Sequence, residues 1–107
     1  MPLMEISIVP IGTKGSSVSR YVAGVIKLLK NEKGIEYEIN PMGTVVQADS
    51  LDELMDIAKK MHRAVIKDDA KRVVTSIKID ERTDKKLTMK GKLNSLKSSL
   101  NEHNKKK

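Results

Sequence analysis

Apolar residues follow two different spacings in successive segments of this chain. Alternating apolar and polar positions, typical of half-buried strands, occur in four segments, and two segments between them have the three- and four-residue spacing of a helix face. Turn and capping residues separate the segments. The predicted elements are a strand over residues 3–9, a helix over about 18–31, strands over 35–40 and 44–48, a helix over about 51–67 and a strand over 72–80.

Breaker and capping residues set the predicted boundaries. Pro10 and Gly12 are expected to end the first strand, because proline lacks an N–H and glycine tolerates turn conformations. The segment Asn40-Pro41-Met42-Gly43 predicts a tight turn between the second and third strands. Ser50 followed by Glu53 is a capping box, which predicts the start of the second helix.

The order strand, helix, strand, strand, helix, strand indicates an α+β domain, which we expect to span residues 1–84. Because strand–helix–strand crossovers are right-handed, two such units interleave into a ferredoxin-like βαββαβ sandwich, a four-stranded antiparallel sheet with both helices on one face. In a monomer the other face is expected to be exposed to solvent. In an oligomer it is expected to form a polar interface or to line a pocket. The helices should bury Ile35, Tyr37, Ile39, Val73, Ile77 and Ile79, and the other face carries Glu36, Glu38, Ser76 and Lys78.

Residues 85–107 form a basic C-terminal extension that is predicted to be partly helical. Four apolar residues in it have helical spacing and form one stripe. Gly91 weakens a helix by roughly 1 kcal/mol relative to alanine, so the stripe is expected to need a surface on which to dock, such as a neighbouring subunit. The stripe consists of Met89, Leu93, Leu96 and Leu100.

The net charge of +7 comes entirely from the end of the chain. Residues 1–81 contain equal numbers of basic and acidic residues, so residues 82–107 supply the whole excess. Basic tails of this kind either keep a protein in solution or hold anionic polymers. Base-stacking nucleic-acid modules need exposed aromatic side chains, whereas this chain has two Tyr, no Phe and no Trp. We therefore do not expect nucleic acid to be the main partner.

The composition narrows the class of protein further. A chain of 107 residues and 11.9 kDa is long enough for one compact domain with a small core. The absence of cysteine excludes disulfides, thiolate metal sites and a cysteine nucleophile. No apolar run approaches the ~18 residues of a membrane span, and the N-terminus lacks the pattern of a secretory signal. We expect a cytoplasmic protein that does not enter a membrane.

The residues able to carry chemistry do not form a catalytic or metal-binding pattern. His62 is expected beside the apolar stripe of the second helix, without a second His or Cys to complete a site. Glu36 and Glu38 project about 7 Å apart from one side of a strand, which fits a solvated strand better than a cation site. We therefore predict a protein that is not an enzyme and has no catalytic residues, metal or cofactor.

The polar loop over residues 12–17 is the strongest candidate for binding. It brings backbone N–H groups and the hydroxyls of Thr13, Ser16 and Ser17 to the predicted start of the first helix. Helix N-termini favour anions and ligand oxygens. Ordinary capping of the helix needs only one of those hydroxyls. Capping alone and ligand binding therefore both remain open.

Four motifs occur in order along the chain. They are Pro10-Ile11-Gly12-Thr13, Ser17-Val18-Ser19-x-Tyr21-Val22, Asn40-Pro41-Met42-Gly43-Thr44 and Arg72-Val73-Val74-Thr75-Ser76-Ile77-Lys78-Ile79-Asp80-x-Arg82-x-Asp84. Together they closely resemble the thiamine-binding protein family, and the likeness covers about residues 3–100. The resemblance implies a ferredoxin-like fold, a homotetramer built as a dimer of dimers, and non-catalytic binding of thiamine or its hydroxymethylpyrimidine part.

The resemblance also implies a binding site. The family often carries glutamate where this chain has Gln47, so an anionic partner for the cationic thiazolium ring is absent, whereas an amide still hydrogen-bonds an aminopyrimidine. Two other functions stay open: a structural protein whose tetramer is the functional unit, and a weak nucleic-acid binder acting through the basic tail. The predicted site residues are Gly12, Thr13, Ser17, Ser19, Tyr37, Met42, Gly43, Thr44 and Gln47.

Overall fold

The structure is a computed structural model, and it describes residues 1–12, 18–67, 71–84 and 86–105. Within these residues the chain forms four strands and three helices, and their order along the chain confirms the predicted one. The elements are β1 (Leu3–Ile11), α1 (Val18–Asn31), β2 (Glu36–Asn40), β3 (Gly43–Gln47), α2 (Leu51–Lys67), β4 (Arg72–Asp80) and α3 (Met89–Lys105).

Among the described residues the strands form one antiparallel sheet in the order β2-β3-β1-β4. β1 is central: its first half pairs with β3 on one side, and its whole length pairs with β4 on the other. β2 and β3 form a hairpin with a two-residue turn, because Asn40 pairs with Gly43. This is the ferredoxin-like α+β arrangement expected from the sequence.

α1 and α2 pack on one side of the sheet, which we call the helix face. Apolar side chains from the sheet and from both helices meet there, and they form the core of the protein. The other side of the sheet, the open face, carries the alternate residues of each strand. The largest fully buried side chains are Met4, Ile6, Leu29, Val46, Leu54 and Met61.

The start of α2 follows the predicted capping box with a one-residue difference. The Glu53 backbone N–H donates to Ser50 Oγ, with N and O 3.2 Å apart. The Glu53 carboxylate accepts from the Asp49 N–H at 3.3 Å, instead of from Ser50 itself. Both bonds satisfy N–H groups at the end of a helix, where partners within the helix are lacking.

The prediction that Pro10 ends β1 is wrong. The strand continues to Ile11, and Pro10 pairs with Val73 of β4. β3 pairs with β1 only as far as Ile6, so among the described residues the later part of β1 has a strand neighbour on one side only. Proline is tolerated in a strand that has an unpaired side, because the missing N–H there removes no bond of the sheet.

The predicted burial of the outer strands is correct only in part. Tyr37 and Val73 are half-buried and pack against core residues. Ile39, Ile77 and Ile79 belong to the helix face by strand alternation, but they are 41, 41 and 39% exposed. Their position explains this difference, because β2 and β4 are the edges of the sheet and the buried core is centred on β1 and β3.

α3 lies across the open face without packing tightly on it. Of the predicted helical stripe, Met89 is half-buried, whereas Leu93, Leu96 and Leu100 are 47, 59 and 56% exposed. The radius of gyration of 16.2 Å exceeds the ~13 Å expected for a compact domain of this length. The stripe is therefore not docked within its own chain.

Candidate functional site

The candidate site is a notch in the sheet next to the start of β3, where β1 continues beyond the hairpin. The hairpin turns back at Pro41-Met42, and its last pairing with β1 joins Thr44 to Ile6. β1 and β4 continue together to Ile11. Past Ile6, the side of β1 that faced β3 has no strand neighbour in the described residues. Backbone N–H and C=O groups on such a side are free to hydrogen-bond a ligand.

α1 closes this notch from the helix face. Tyr21, Val22 and Val25 lie on one side of α1, because residues four apart share a helix face. The cavity between them, β1 and the end of the hairpin has a volume of about 290 Å³, near the lower end of the range for small-molecule sites. We call it the hairpin pocket. The other residues lining it include Ile6, Ile8, Val9, Pro10, Ile39, Asn40, Met42, Gly43, Thr44, Met61 and Val65.

The walls of the hairpin pocket are mostly apolar and carry a few neutral polar groups. Thr44 at the start of β3 is buried, and Asn40 lies at the end of β2. None of the described residues that line the pocket is charged. A pocket of this kind favours a neutral ring with hydrogen-bonding groups on its edge, and it gives a buried cation no opposite charge.

Two glycines shape the border of this pocket. A Cβ at Gly43 would lie 3.1 Å from the carbonyl oxygen of Ile6, so only glycine lets the hairpin end approach β1 without displacing it. Gly12 directly follows β1 with a φ of 76°, in the left-handed region that favours glycine. It turns the chain sharply just after the strand that borders the pocket.

A second cavity, the α3 groove, lies on the open face between the sheet and α3. Its volume is about 600 Å³, and Leu3, Val45 and Leu93 are among the residues that line it. Gln47 Oε1 accepts a hydrogen bond from the Met89 N–H at the start of α3, with N and O 2.9 Å apart. α3 also forms an ion pair with β4, in which Lys92 Nζ donates to the Asp80 carboxylate. These two contacts tie the beginning of α3 to the sheet.

The structure brings three of the predicted site residues together. Met42, Gly43 and Thr44 all line the hairpin pocket. Gly12 lies at the end of the strand that borders the pocket. Tyr37 packs against the main core instead of lining the pocket.

Gln47 lies on the opposite face of the sheet from Thr44, because residues three apart in a strand point to opposite sides. Its side chain is buried, and besides the bond to α3 its Nε2 lies 3.9 Å from Met1 Sδ. Within one chain, Gln47 therefore does not reach the hairpin pocket. Thr13 and Ser17 lie outside the described residues, and Ser19 belongs to the first turn of α1.

The apolar walls of the pocket are not predicted by the sequence patterns. Ile8, Val9 and Val25 were assigned only to regular elements, although they line the cavity together. A signal for them was present: the apolar positions continue through Pro10 to Ile11. An apolar strand that runs past a proline indicates a side without a strand partner, and such a side can border a pocket.

The groups with shifted pKa values lie outside the hairpin pocket. Lys60 of α2 donates a hydrogen bond to Glu32 at 2.7 Å, and this bond together with the carboxylate charge raises the pKa of Lys60. Arg82 donates two hydrogen bonds to Asp84, at 2.9 and 2.7 Å, which raise the pKa of Arg82. These are exposed ion pairs, which contribute little to stability.

His62 has a structural contact instead of a place in the pocket. It is half-buried on α2, and its Nδ1 lies 2.6 Å from Thr75 Oγ1 on β4. In the described part of the chain, no three His, Cys, Asp or Glu residues are grouped so that they could hold a metal ion. No helix among those same residues is long and apolar enough to cross a membrane.

Fold and cavity together define a class: a ferredoxin-like α+β domain with a mostly apolar cavity at the end of a hairpin, whose described lining residues carry no charge. A family model described as thiamine-binding protein matches residues 4–97, which is most of the chain. The chain belongs to this family.

Relatives and solved structures agree with this assignment. A Methanothermobacter thermautotrophicus protein named UPF0045 protein is 40% identical over 96 residues, which are 90% of this chain and 96% of the relative. The structure of a Methanocaldococcus jannaschii hypothetical protein is 44% identical, covers 89% of this chain and 94% of that chain, and has a TM-score of 0.78. A Thermotoga maritima structure, whose description assigns it provisionally to thiamine biosynthesis or salvage, has a TM-score of 0.74. It covers 89% of this chain and 97% of that chain at 24% identity, which shows the shared fold alone.

Proposed function

We propose that this protein binds thiamine or its hydroxymethylpyrimidine part in the hairpin pocket and catalyses no reaction. The observation that carries the proposal is the pocket itself, in a chain that belongs to the thiamine-binding family. It combines apolar walls with Thr44 and Asn40, which offer a neutral donor and acceptor set. An aminopyrimidine has a flat apolar face and hydrogen-bonding groups on its edge, so it matches such walls.

The pyrimidine, not the thiazolium, supplies the recognition in this proposal. No charged side chain occurs among the described residues that line the pocket, and burying an unpaired cation is costly. Tyr21 is the one aromatic side chain among those residues, so hydrogen bonds and apolar contact outweigh ring stacking. Free hydroxymethylpyrimidine should therefore bind nearly as tightly as thiamine.

Calorimetry with both ligands tests the proposal. Thr44→Val keeps the shape of the side chain and removes its hydroxyl, so it should weaken binding of both ligands by about 1–3 kcal/mol. Thr83→Val, at an exposed position between β4 and α3, is the matched control and should bind as the unchanged protein does. Mass spectrometry should recover both ligands unaltered. Absence of heat and of thermal stabilisation at millimolar concentrations of both ligands contradicts the proposal.

The proposal includes action as a homotetramer, a dimer of dimers, in the cytoplasm. The exposed leucines of α3 support assembly, because an apolar stripe that does not dock on its own chain is available to a neighbour. Light scattering after gel filtration in ~0.3 M salt should give the mass of a tetramer, with salt suppressing association through the tail. A monomer at micromolar concentration contradicts this part of the proposal.

Replacing two leucines tests the role of α3 in that assembly. The double variant Leu93→Ser/Leu96→Ser should lower the mass, because both side chains are exposed and belong to the stripe. Leu51→Ser, at an exposed position on α2, is the matched control and should leave the mass unchanged. An unchanged mass in the double variant contradicts a role for these leucines in assembly.

A further inference from the structure

Met42 lies at the tip of the β2–β3 hairpin, where it lines the hairpin pocket and is also open to solvent. It is the second of the two turn residues, beyond the pairing of Asn40 with Gly43 that ends the hairpin. Met42 is 86% exposed. Its thioether therefore lies at the mouth of the pocket, where both a ligand and dissolved reagents can contact it.

The other methionines of the chain are less accessible than Met42. Met61 lines the same pocket, but it is 1% exposed and belongs to the main core. Met55 lies on α2 outside the pocket and is 38% exposed. Because the oxidation of methionine follows exposure, Met42 should react first and Met61 late. The remaining methionines, which are buried or half-buried, are Met1, Met4 and Met89.

A peroxide converts an accessible methionine to its sulfoxide. The sulfur gives an electron pair to the new S–O bond, and the O–O bond of the peroxide breaks. The second peroxide oxygen keeps a proton and leaves as water or an alcohol. Methionine sulfoxide reductases reverse the change, with one enzyme for each sulfoxide epimer. They release the oxygen as water while a dithiol is oxidised to a disulfide.

Oxidation at this position changes the character of the pocket mouth. The described residues that line the pocket are mostly apolar and carry no charge. A thioether packs favourably against an aromatic ring, and an aminopyrimidine is such a ring. A sulfoxide is polar, so it must give up bound water when it packs against the ring. The sulfoxide of Met42 should therefore hold the ligand less tightly than the thioether does.

We propose that Met42 is a site of reversible oxidation by peroxides, and that its sulfoxide weakens ligand binding in the hairpin pocket. The inference rests on the proposed function, because the affected ligand is the one proposed to occupy this pocket. It adds a modification site to the chain, and it makes the affinity of the pocket depend on the oxidants around it.

Peptide mapping by mass spectrometry tests the order of oxidation. The full chain is treated with a limiting amount of hydrogen peroxide, which catalase then removes. The peptide that contains Met42 should gain an oxygen before any other, while those that contain Met4 and Met61 stay unchanged. Oxidation of Met55 before Met42 overturns the proposed site.

Calorimetry with hydroxymethylpyrimidine measures the effect on binding. Protein oxidised at Met42 should bind about two- to tenfold more weakly, the range expected for a lost sulfur–ring contact. Both reductases together with dithiothreitol should restore the affinity. Equal affinity before and after oxidation overturns this inference alone. Absence of binding by the untreated protein overturns the proposed function as well.

Two leucine variants assign the effect to one sulfur. Met42→Leu removes the sulfur and keeps an apolar side chain at the mouth, so its affinity should be the same before and after peroxide. Met55→Leu is the matched control, because Met55 is exposed and does not line the pocket. Its affinity should fall on oxidation as in the unchanged protein. A loss in oxidised Met42→Leu, or protection by Met55→Leu, overturns the assignment.

Met42→Gln tests the effect of polarity without an oxidant. Glutamine is close to methionine sulfoxide in length and carries a polar oxygen. Without peroxide, Met42→Gln should bind hydroxymethylpyrimidine about two- to tenfold more weakly than Met42→Leu. Both variants should fold, as circular dichroism checks, because residue 42 is exposed. Equal affinities of the two folded variants overturn the link between polarity at residue 42 and binding.

Discussion

The two faces of the sheet are built in different ways. On the helix face, apolar side chains of β1, β3, α1 and α2 are packed until the largest are fully buried. On the open face, α3 is held by the hydrogen bond that its Met89 N–H donates to Gln47 and by the ion pair of Lys92 with Asp80, while its leucines stay exposed. The comparison shows that the main apolar core lies on the helix face, whereas the open face is covered by a helix whose leucines stay exposed.

Truncating one leucine on each face should give the largest difference in stability between the two faces. Leu54 is fully buried on the helix face, so Leu54→Ala should lower the free energy of unfolding by about 2–5 kcal/mol. Leu96 is 59% exposed, so Leu96→Ala should cost less than about 0.5 kcal/mol when the protein is monomeric. Urea unfolding at low protein concentration measures both, and similar losses would refute the difference between the faces.

Removal of the Gln47 side-chain amide should loosen the start of α3. Gln47→Ala leaves the Met89 N–H without its partner, which should cost about 0.5–1.5 kcal/mol. The loss should be local, so hydrogen exchange should speed up in the first turn of α3 while the core amides keep their protection. Faster exchange throughout the core would mean that Gln47 also supports the helix face.

Gln47→Glu tests the two faces separately, because residue 47 contacts α3 on the open face and the hairpin pocket lies on the other side of the sheet. A carboxylate at residue 47 still accepts from Met89 and suits the positive end of a helix, which offsets part of the cost of burying its charge, so α3 should be retained. The preference between thiamine and hydroxymethylpyrimidine should not change, since the two faces lie on opposite sides of the sheet. A calorimetric shift towards thiamine would place the ligand on the open face.

The smallest expected effect concerns the ion pair of Lys92 with Asp80. Both side chains are about half exposed, at 57 and 43%, and pairs of this kind contribute about 0–1 kcal/mol. Lys92→Gln should therefore change the unfolding midpoint in urea only slightly, and added salt should abolish the difference. A loss that persists in high salt would show that Lys92 contributes through packing instead of charge.

Local patterns in the sequence were sufficient to predict the elements and their order. The ferredoxin-like fold follows from alternation, helical spacing and the capping box at Ser50, all of which act within a few residues. The exposure of Ile39, Ile77 and Ile79 was not predictable in this way, because it depends on which strands become the edges.

The candidate site was predictable only where it coincides with a motif. Met42 belongs to a turn, and Gly43 and Thr44 are the first two residues of the strand that follows it, so both motif and local geometry indicate them. Gln47 is only three residues after Thr44, but strand alternation places its side chain on the other face of the sheet. There it contacts α3, a helix that is distant in the chain. Local sequence patterns do not predict contacts between segments that are distant in the chain.

The central position of β1 has a consequence for the order of folding. The hairpin of β2 and β3 joins residues close in sequence, so it can form early and quickly. β1 is the first strand in the chain, but Leu3 pairs with Asp80 at the end of β4. Contacts that close such long loops form slowly, because their entropy cost comes before their gain. During synthesis, β1 must therefore wait for its last partner until most of the chain has emerged.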